Sequence, residues 1–254
     1  MHLMNYFDSQ EIHFMNNNLP NIEDLKDNYD KILERVNKIS AKCGRNPDEI
    51  SIIAVSKMHP PELIERAIKA GIRIFGENYA QELRDKHEIV EEKDHYKPIW
   101  HFIGHLQTNK IKYIAPFVNM IHSVDSEKAA TEISHYAEKY ERTIDILLQV
   151  NTSGEFSKSG CEPDDVVEFA ESVISIPHIN VKGLMTIGSF SDDEKLVRKE
   201  FEMLRNIKEK LNEQFDNKFQ HLSMGMSGDY EWAIQEGSTM IRIGTAIFGY
   251  RNYK

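Results

Sequence analysis

The sequence predicts an α/β chain folded as a single (β/α)8 barrel of the TIM type. Three observations predict it. Short β-branched runs alternate with helical stretches along most of the chain, and such alternation pairs strands in parallel through right-handed crossovers. The runs number eight, the count that closes a barrel. The first run passes straight into Ser56-Lys57-Met58, without the Gly-x-Gly-x-x-Gly turn expected after strand 1 of the competing open, doubly wound sheet.

Asn21 opens a helix in which Ile22, Leu25, Tyr29, Ile32, Leu33, Val36 and Ile39 recur at helical spacing, ending near Lys42–Gly44. Strands are expected at Ser51–Val55, Ile72–Phe75, Ile99–Ile103, Val118–His122, Ile144–Val150, Asn180–Met185, Phe219–Ser223 and Met240–Gly244. Helices are expected after them at Pro61–Ala70, Ala80–Glu92, Lys110–Ala115, Glu127–Tyr140, Pro163–Ile174, Glu194–Phe215 and Tyr230–Glu236. Residues 1–19, rich in Asn and Met, read as an irregular extension. Residues 20–254 read as one domain, because no Pro/Gly-rich linker or solenoid repeat divides them.

The composition narrows the function classes. With 40% apolar and 28% charged residues, the 254-residue chain is globular, neither collagenous nor of low complexity. A net charge of −10 with no long basic run disfavours nucleic acid and anionic membranes as partners. Cys43 and Cys161 lie outside any Cys-x-x-Cys spacing, which suits a reducing compartment and argues against structural zinc. The N-terminus lacks signal-peptide character, and apolar runs such as Ile144–Leu148 are too short to span a bilayer. A cytoplasmic protein is expected.

In this architecture the active face lies at the C-terminal ends of the strands, with a phosphate site commonly built from the loops after strands 7 and 8. Strand 7 exits through Ser223-Met224-Gly225-Met226-Ser227-Gly228-Asp229 and strand 8 through Arg242-Ile243-Gly244-Thr245. Glycine lets backbone N–H groups approach an anion, serine and threonine add hydroxyl donors, and a helix start adds its dipole. Either loop alone reads equally well as turn glycines with a capping residue; together they predict a phosphate cradle. Lys57 ends strand 1 on the face of Ile53 and Val55, where partial desolvation would free its amine to attack a carbonyl. Ile241 and Ile243 should face the helices, which turns Arg242 inward, toward a structural ion pair, an anion or a ring nitrogen. Phosphate cradle, amine and arginine converge on pyridoxal 5′-phosphate: Schiff base on Lys57, phosphate in the cradle, Arg242 at the pyridine nitrogen.

These residues sit in longer stretches: Ala54–Lys57, Phe75–Tyr79, Trp100–Lys110, Val150-Asn151 with Lys158–Gly160, Gly183–Thr186, Leu222–Ser227 and Arg242–Gly249. Through them the chain resembles the pyridoxal phosphate homeostasis family, YggS-like or proline synthetase co-transcribed, over about residues 22–250. The resemblance implies a fold like the N-terminal barrel of alanine racemase (fold type III), here without the second β-domain. It implies Lys57 as the Schiff-base lysine, Ser223, Ser227, Gly244 and Thr245 around the phosphate, and Arg242 at the ring nitrogen. Asn78, Met185 and His105 would line the pocket. The implied function is a carrier and buffer of the cofactor in intracellular homeostasis, without established turnover; apo-enzymes that use the cofactor are expected partners, and the missing partner domain points to a monomer.

A fold type III amino-acid racemase is the alternative, and a cofactor-free class I aldolase using Lys57 a third reading. No metal site is expected: His101 and His105 are four apart, but His101 falls in a strand. Glu77 reads as a turn or site residue, Lys158 as an anion contact or a solvated side chain, and Asp192-Asp193-Glu194 as a helix start.

Overall fold

The computed structural model describes residues 19–93, 97–155, 158–216 and 218–249. Except for Leu19, the expected N-terminal extension lies outside the described residues, as does the end from residue 250. Eight parallel strands, β1 (Ser51–Val55), β2 (Ile74–Glu77), β3 (Ile99–Phe102), β4 (Met120–Val124), β5 (Ile144–Gln149), β6 (Ile179–Met185), β7 (His221–Met226) and β8 (Met240–Ile243), close into a barrel in chain order. The closing ladder pairs β1 with β8, with Ile52 opposite Ile241 and Ile53 opposite Arg242.

The helices are α1 (Ile22–Cys43), α2 (Pro61–Lys69), α3 (Ala80–Lys93), α4 (Ile111–Ile114), α5 (Glu127–Lys139), α6 (Val166–Val173), α7 (Glu194–Gln214), α8 (Tyr230–Gln235) and α9 (Thr245–Phe248). None among the described residues is long and apolar enough to cross a membrane. α1 starts where its chemistry says it should: the Asn21 side chain accepts from the Asp24 N–H while Asp24 reaches back to Asn21, satisfying two donors that helix geometry leaves over. It ends at Gly44, whose φ of 67° is the left-handed stop. Its stripe of Leu25, Ile32, Val36 and Ile39 is buried against α2, α8 and α9.

Strand alternation divides the core in two. Ile52, Ala54, Ile241 and Ile243 point out to the helices in one continuous cluster. Ile53, Met120, Leu147, Met185 and Met240 point in and fill the barrel's centre. Above that apolar floor the inward residues become polar, and the site stands there.

Three strands run two or three residues later than expected. Ile72, Val118 and Phe219 are fully buried, but in the outer cluster where the chain turns from helix to strand, ahead of the paired segment. Pairing instead continues into residues whose polar side chains are buried, such as Glu77 and Ser123. Gln107 stands at the N-cap of a short 3-10 turn, Thr108–Lys110, with no capping bond from its side chain, and α4 is shorter than its expected span.

Leu25 is wholly buried, so Leu25→Ala should lower the unfolding free energy by about 2–5 kcal/mol, read from urea denaturation; a loss within 0.5 kcal/mol, the scale of ordinary surface changes, would show that α1 does not pack as described.

Candidate functional site

At the C-terminal ends of the strands lies a cavity of about 710 Å³. Lys57, Asn78, Ser227, Arg242, Gly244 and Thr245 all line it, with Val55, Ile103 and Ile187 as apolar walls. Three expected residues, Met185, Ser223 and His105, are not among those that line it. Met185, 1% exposed, belongs to the apolar floor, one layer down. Ser223 is fully buried, and its hydroxyl accepts a 2.6 Å hydrogen bond from Arg242 Nη1. His105 is exposed, with Nδ1 3.2 Å from the Ser159 hydroxyl. Inward-facing strand residues stack in layers, and sharing a face does not specify the layer.

Arg242 points inward as expected, with Ile241 and Ile243 outside. Its bonded partners are neutral: the Ser223 hydroxyl and the Thr186 carbonyl, the latter 2.8 Å from Nη2. Burial pushes its pKa down to about 10, so at neutral pH it remains a cation and an obligate donor.

That fixes the protons beneath it. Among the described residues the Ser223 hydroxyl has two partners, Arg242 and His122 Nδ1 at 2.9 Å. Arg242 can only donate, and of the two partners only His122 Nδ1 can accept, so pairing the Ser223 proton sends it there. His122 then carries its proton on Nε2 and donates it to His101 Nδ1, 2.9 Å away. Both imidazoles are neutral: burial drives His101 down to about 3 and His122 well below the ordinary range. Among the described residues no group of three or more His, Cys, Asp or Glu side chains could hold a metal.

β7 bends near its end at Gly225, where its pairing with β8 shifts register. The φ of Gly225 is +96° and an added Cβ would stand 2.6 Å from that of Ala233, so only glycine fits against α8. Asp229 then accepts the Met226 N–H at 2.5 Å, and above Gly228 the space is open for 4 Å. α8 has six residues and α9 four, so the helix dipole expected at the cradle is small, and loop N–H groups and hydroxyls are its main donors. Asn78 is held from behind, because a Cβ on Gly104 would lie 2.1 Å from its carbonyl oxygen. Its buried Oδ1 has no hydrogen-bond partner among the described residues.

The cavity chemistry fits pyridoxal 5′-phosphate: a guanidinium bonded to neutral oxygens, with Asp229 as the charge it feels, for a ring acceptor, an unpartnered amide oxygen, an open glycine loop and a strand-end amine. Lys158 Nζ bonds Glu155 and the Gly188 carbonyl and lies over the Phe190 ring, tying the loops after β5 and β6 together beside the mouth. Asp193 caps α7, as the acidic run suggested.

One cluster goes beyond the sequence expectations. Glu77 is fully buried at the end of β2, and its Oε1 accepts from Ser56 Oγ and Lys86 Nζ, both at 2.6 Å. Burial pushes its carboxyl up to about 7 against the pull of Lys86. A signal was present: Leu83, Lys86 and Val90 share one helix face, so Lys86 stands in an apolar stripe.

Residues 28–252 match the alanine racemase N-terminal domain model. The chain is 40% identical over 223 residues to a pyridoxal phosphate homeostasis protein of Aquifex aeolicus, covering 88% of this chain and 96% of that one. With the Escherichia coli K12 protein of that name it shares 38% over 235 residues, covering 91% and 99%. An unknown protein from Bifidobacterium adolescentis superposes with a TM-score of 0.84 at 36% identity, covering 89% and 95%. PipY of Synechococcus elongatus, with PLP bound, does so at 0.74 and 31%, covering 84% and 99%. An alanine racemase of Clostridium difficile shares the fold at 14% identity (TM-score 0.72), with 92% of this chain on 59% of that one. The chain belongs to the alanine racemase N-terminal domain family, within the branch of the pyridoxal phosphate homeostasis proteins.

His101 and His122 are neutral when folded and charge on unfolding, so below 6.5 the unfolded chain binds more protons and stability falls with pH. Glu77 runs the opposite way: its folded pKa of about 7 exceeds the unfolded 4.5, so its contribution is lost as pH rises between them. Two groups outweigh one, and urea-derived stability should fall from pH 6.5 to 4.5. Glu77→Gln removes the opposing group and should steepen that slope by about 1.4 kcal/mol per pH unit; an unchanged slope would mean that Glu77 is ionised in the folded protein.

Proposed function

We propose that this chain binds pyridoxal 5′-phosphate and serves as an intracellular carrier and buffer of it, acting in the cytoplasm as a monomer and without catalytic turnover of its own. The observation that carries this reading is the convergence of Lys57, Arg242 and the two Ser/Gly/Thr loops on one cavity. The PLP-bound relative PipY and the homeostasis relatives support it.

When bound, pyridoxal 5′-phosphate supplies an aldehyde that the Lys57 amine captures with loss of water. Ser227, Gly244 and Thr245 hold the phosphate. Arg242 donates to the ring nitrogen and, having no proton to give up near neutral pH, keeps that nitrogen unprotonated, which weakens the ring as an electron sink. Ser223 acts through Arg242, Met185 forms the floor, and Asn78 presents its amide to the pocket. Weak electron withdrawal suits storage better than turnover, and recipient apo-enzymes take the cofactor from this site.

Purified protein should absorb in the visible when loaded, and borohydride should fix the ligand on Lys57, located by peptide mass. Lys57→Ala should abolish the fixed adduct while retaining weaker, reversible binding through the cradle. Loaded wild-type protein that yields no adduct on Lys57 would overturn the cofactor reading. Racemisation of L-amino acids at about 1–10³ s⁻¹, typical of enzymes, would overturn the carrier reading.

A further inference from the structure

The turn that carries Lys57 is gripped on both sides by one buried ammonium. Lys86, from α3, has a side chain only 4% exposed. It donates to three oxygens: the Ser56 carbonyl at 2.7 Å, Glu77 Oε1 at 2.6 Å and Glu82 Oε1 at 2.7 Å. Glu77 in turn accepts the Ser56 hydroxyl at 2.6 Å. Glu82 accepts the Met58 N–H at 2.5 Å. Ser56 and Met58 are the two chain neighbours of Lys57. Met58 has a φ of +63°, a left-handed conformation that an unbranched non-glycine residue adopts only at a cost, and the Glu82 bond holds it there.

We propose that Lys86 is a positioning residue for Lys57: through Ser56 and Glu77 on one side, and Glu82 and Met58 on the other, it fixes the turn so that the Lys57 amine is presented to the cavity. This rests on the reading of Lys57 as the attachment point. A buried ion pair that merely fastened α3 to β2 would need no bond to the backbone on both sides of that lysine. All three ammonium donors are used, two on the Ser56 side of the turn and one on the carboxylate that holds Met58.

The test separates covalent capture from general binding. Glu82→Ala removes the Met58 arm at a partly exposed position, and the double variant Glu77→Gln/Lys86→Met removes the clamp without leaving a buried charge unpaired. Each is compared with wild type for the fraction of bound pyridoxal 5′-phosphate that borohydride fixes on Lys57. Each is also compared for affinity toward pyridoxine 5′-phosphate, which carries an alcohol in place of the aldehyde. The fixed fraction should fall at least ~3-fold while pyridoxine 5′-phosphate affinity stays within ~2-fold, since the latter reads the cradle alone. In ligand-free Glu82→Ala protein the Met58 amide should exchange with solvent at least ~10-fold faster. An unchanged fixed fraction in a folded variant, or an equal loss for both ligands, overturns the proposal. Should the double variant not fold, Glu82→Ala decides alone. Wild-type protein with no adduct on Lys57 sinks the underlying reading instead, and the Met58 exchange rate then judges the clamp: no acceleration overturns it.

Discussion

The site depends on the seam where β8 pairs with β1. Lys57 and Arg242 stand at nearly opposite ends of the chain, and the ladder that sets Ile53 beside Arg242 makes them neighbours. The same ladder fixes which side chains face in, because a shift of one residue would turn Arg242 out among the helices and bring Ile241 or Ile243 inside. Parallel pairing around the whole circle leaves no free edge, so this register is supported from both sides, by β2 and by β7.

Inside the barrel, apolar and polar layers divide the work. The floor of Ile53, Leu147 and three methionines gives density without hydrogen-bonding demands. Above it, Arg242, Ser223, His122 and His101 form one string of donors and acceptors. Such a string adds little net stability over an apolar filling, since desolvation offsets most of each bond. What it supplies is direction: one cation that cannot accept sets the orientation of every proton below it.

Much of this was legible in the amino-acid order. Period-two alternation with helical runs between gave the strand count, and Arg242 between two isoleucines was correctly turned inward. The strand ends were less legible. Ile72, Val118 and Phe219 look like strand residues because they are apolar and fully buried, yet they pack at the helix-to-strand turns. Depth along the barrel axis was hidden too, because alternation tells in from out but not high from low. Ser223 and Met185 therefore share a face with pocket residues while lying beneath the pocket. Lys86 left a trace, standing in the apolar stripe of Leu83 and Val90, but its partners did not: only the fold brings Ser56 and Glu77 against it.

The outer ring has an unusual source for one of its staves. Among the described residues the chain makes only the four-residue α9 after β8, and the long α1, which precedes every described strand, lies against α8, α9 and α2. α1 thus takes two of its three helical partners, α8 and α9, from beyond β7, at the far end of the strand sequence. Until those two are made, only α2 can cover part of its greasy stripe. A nascent barrel of this design leaves much of that stripe uncovered until β8 closes the ring.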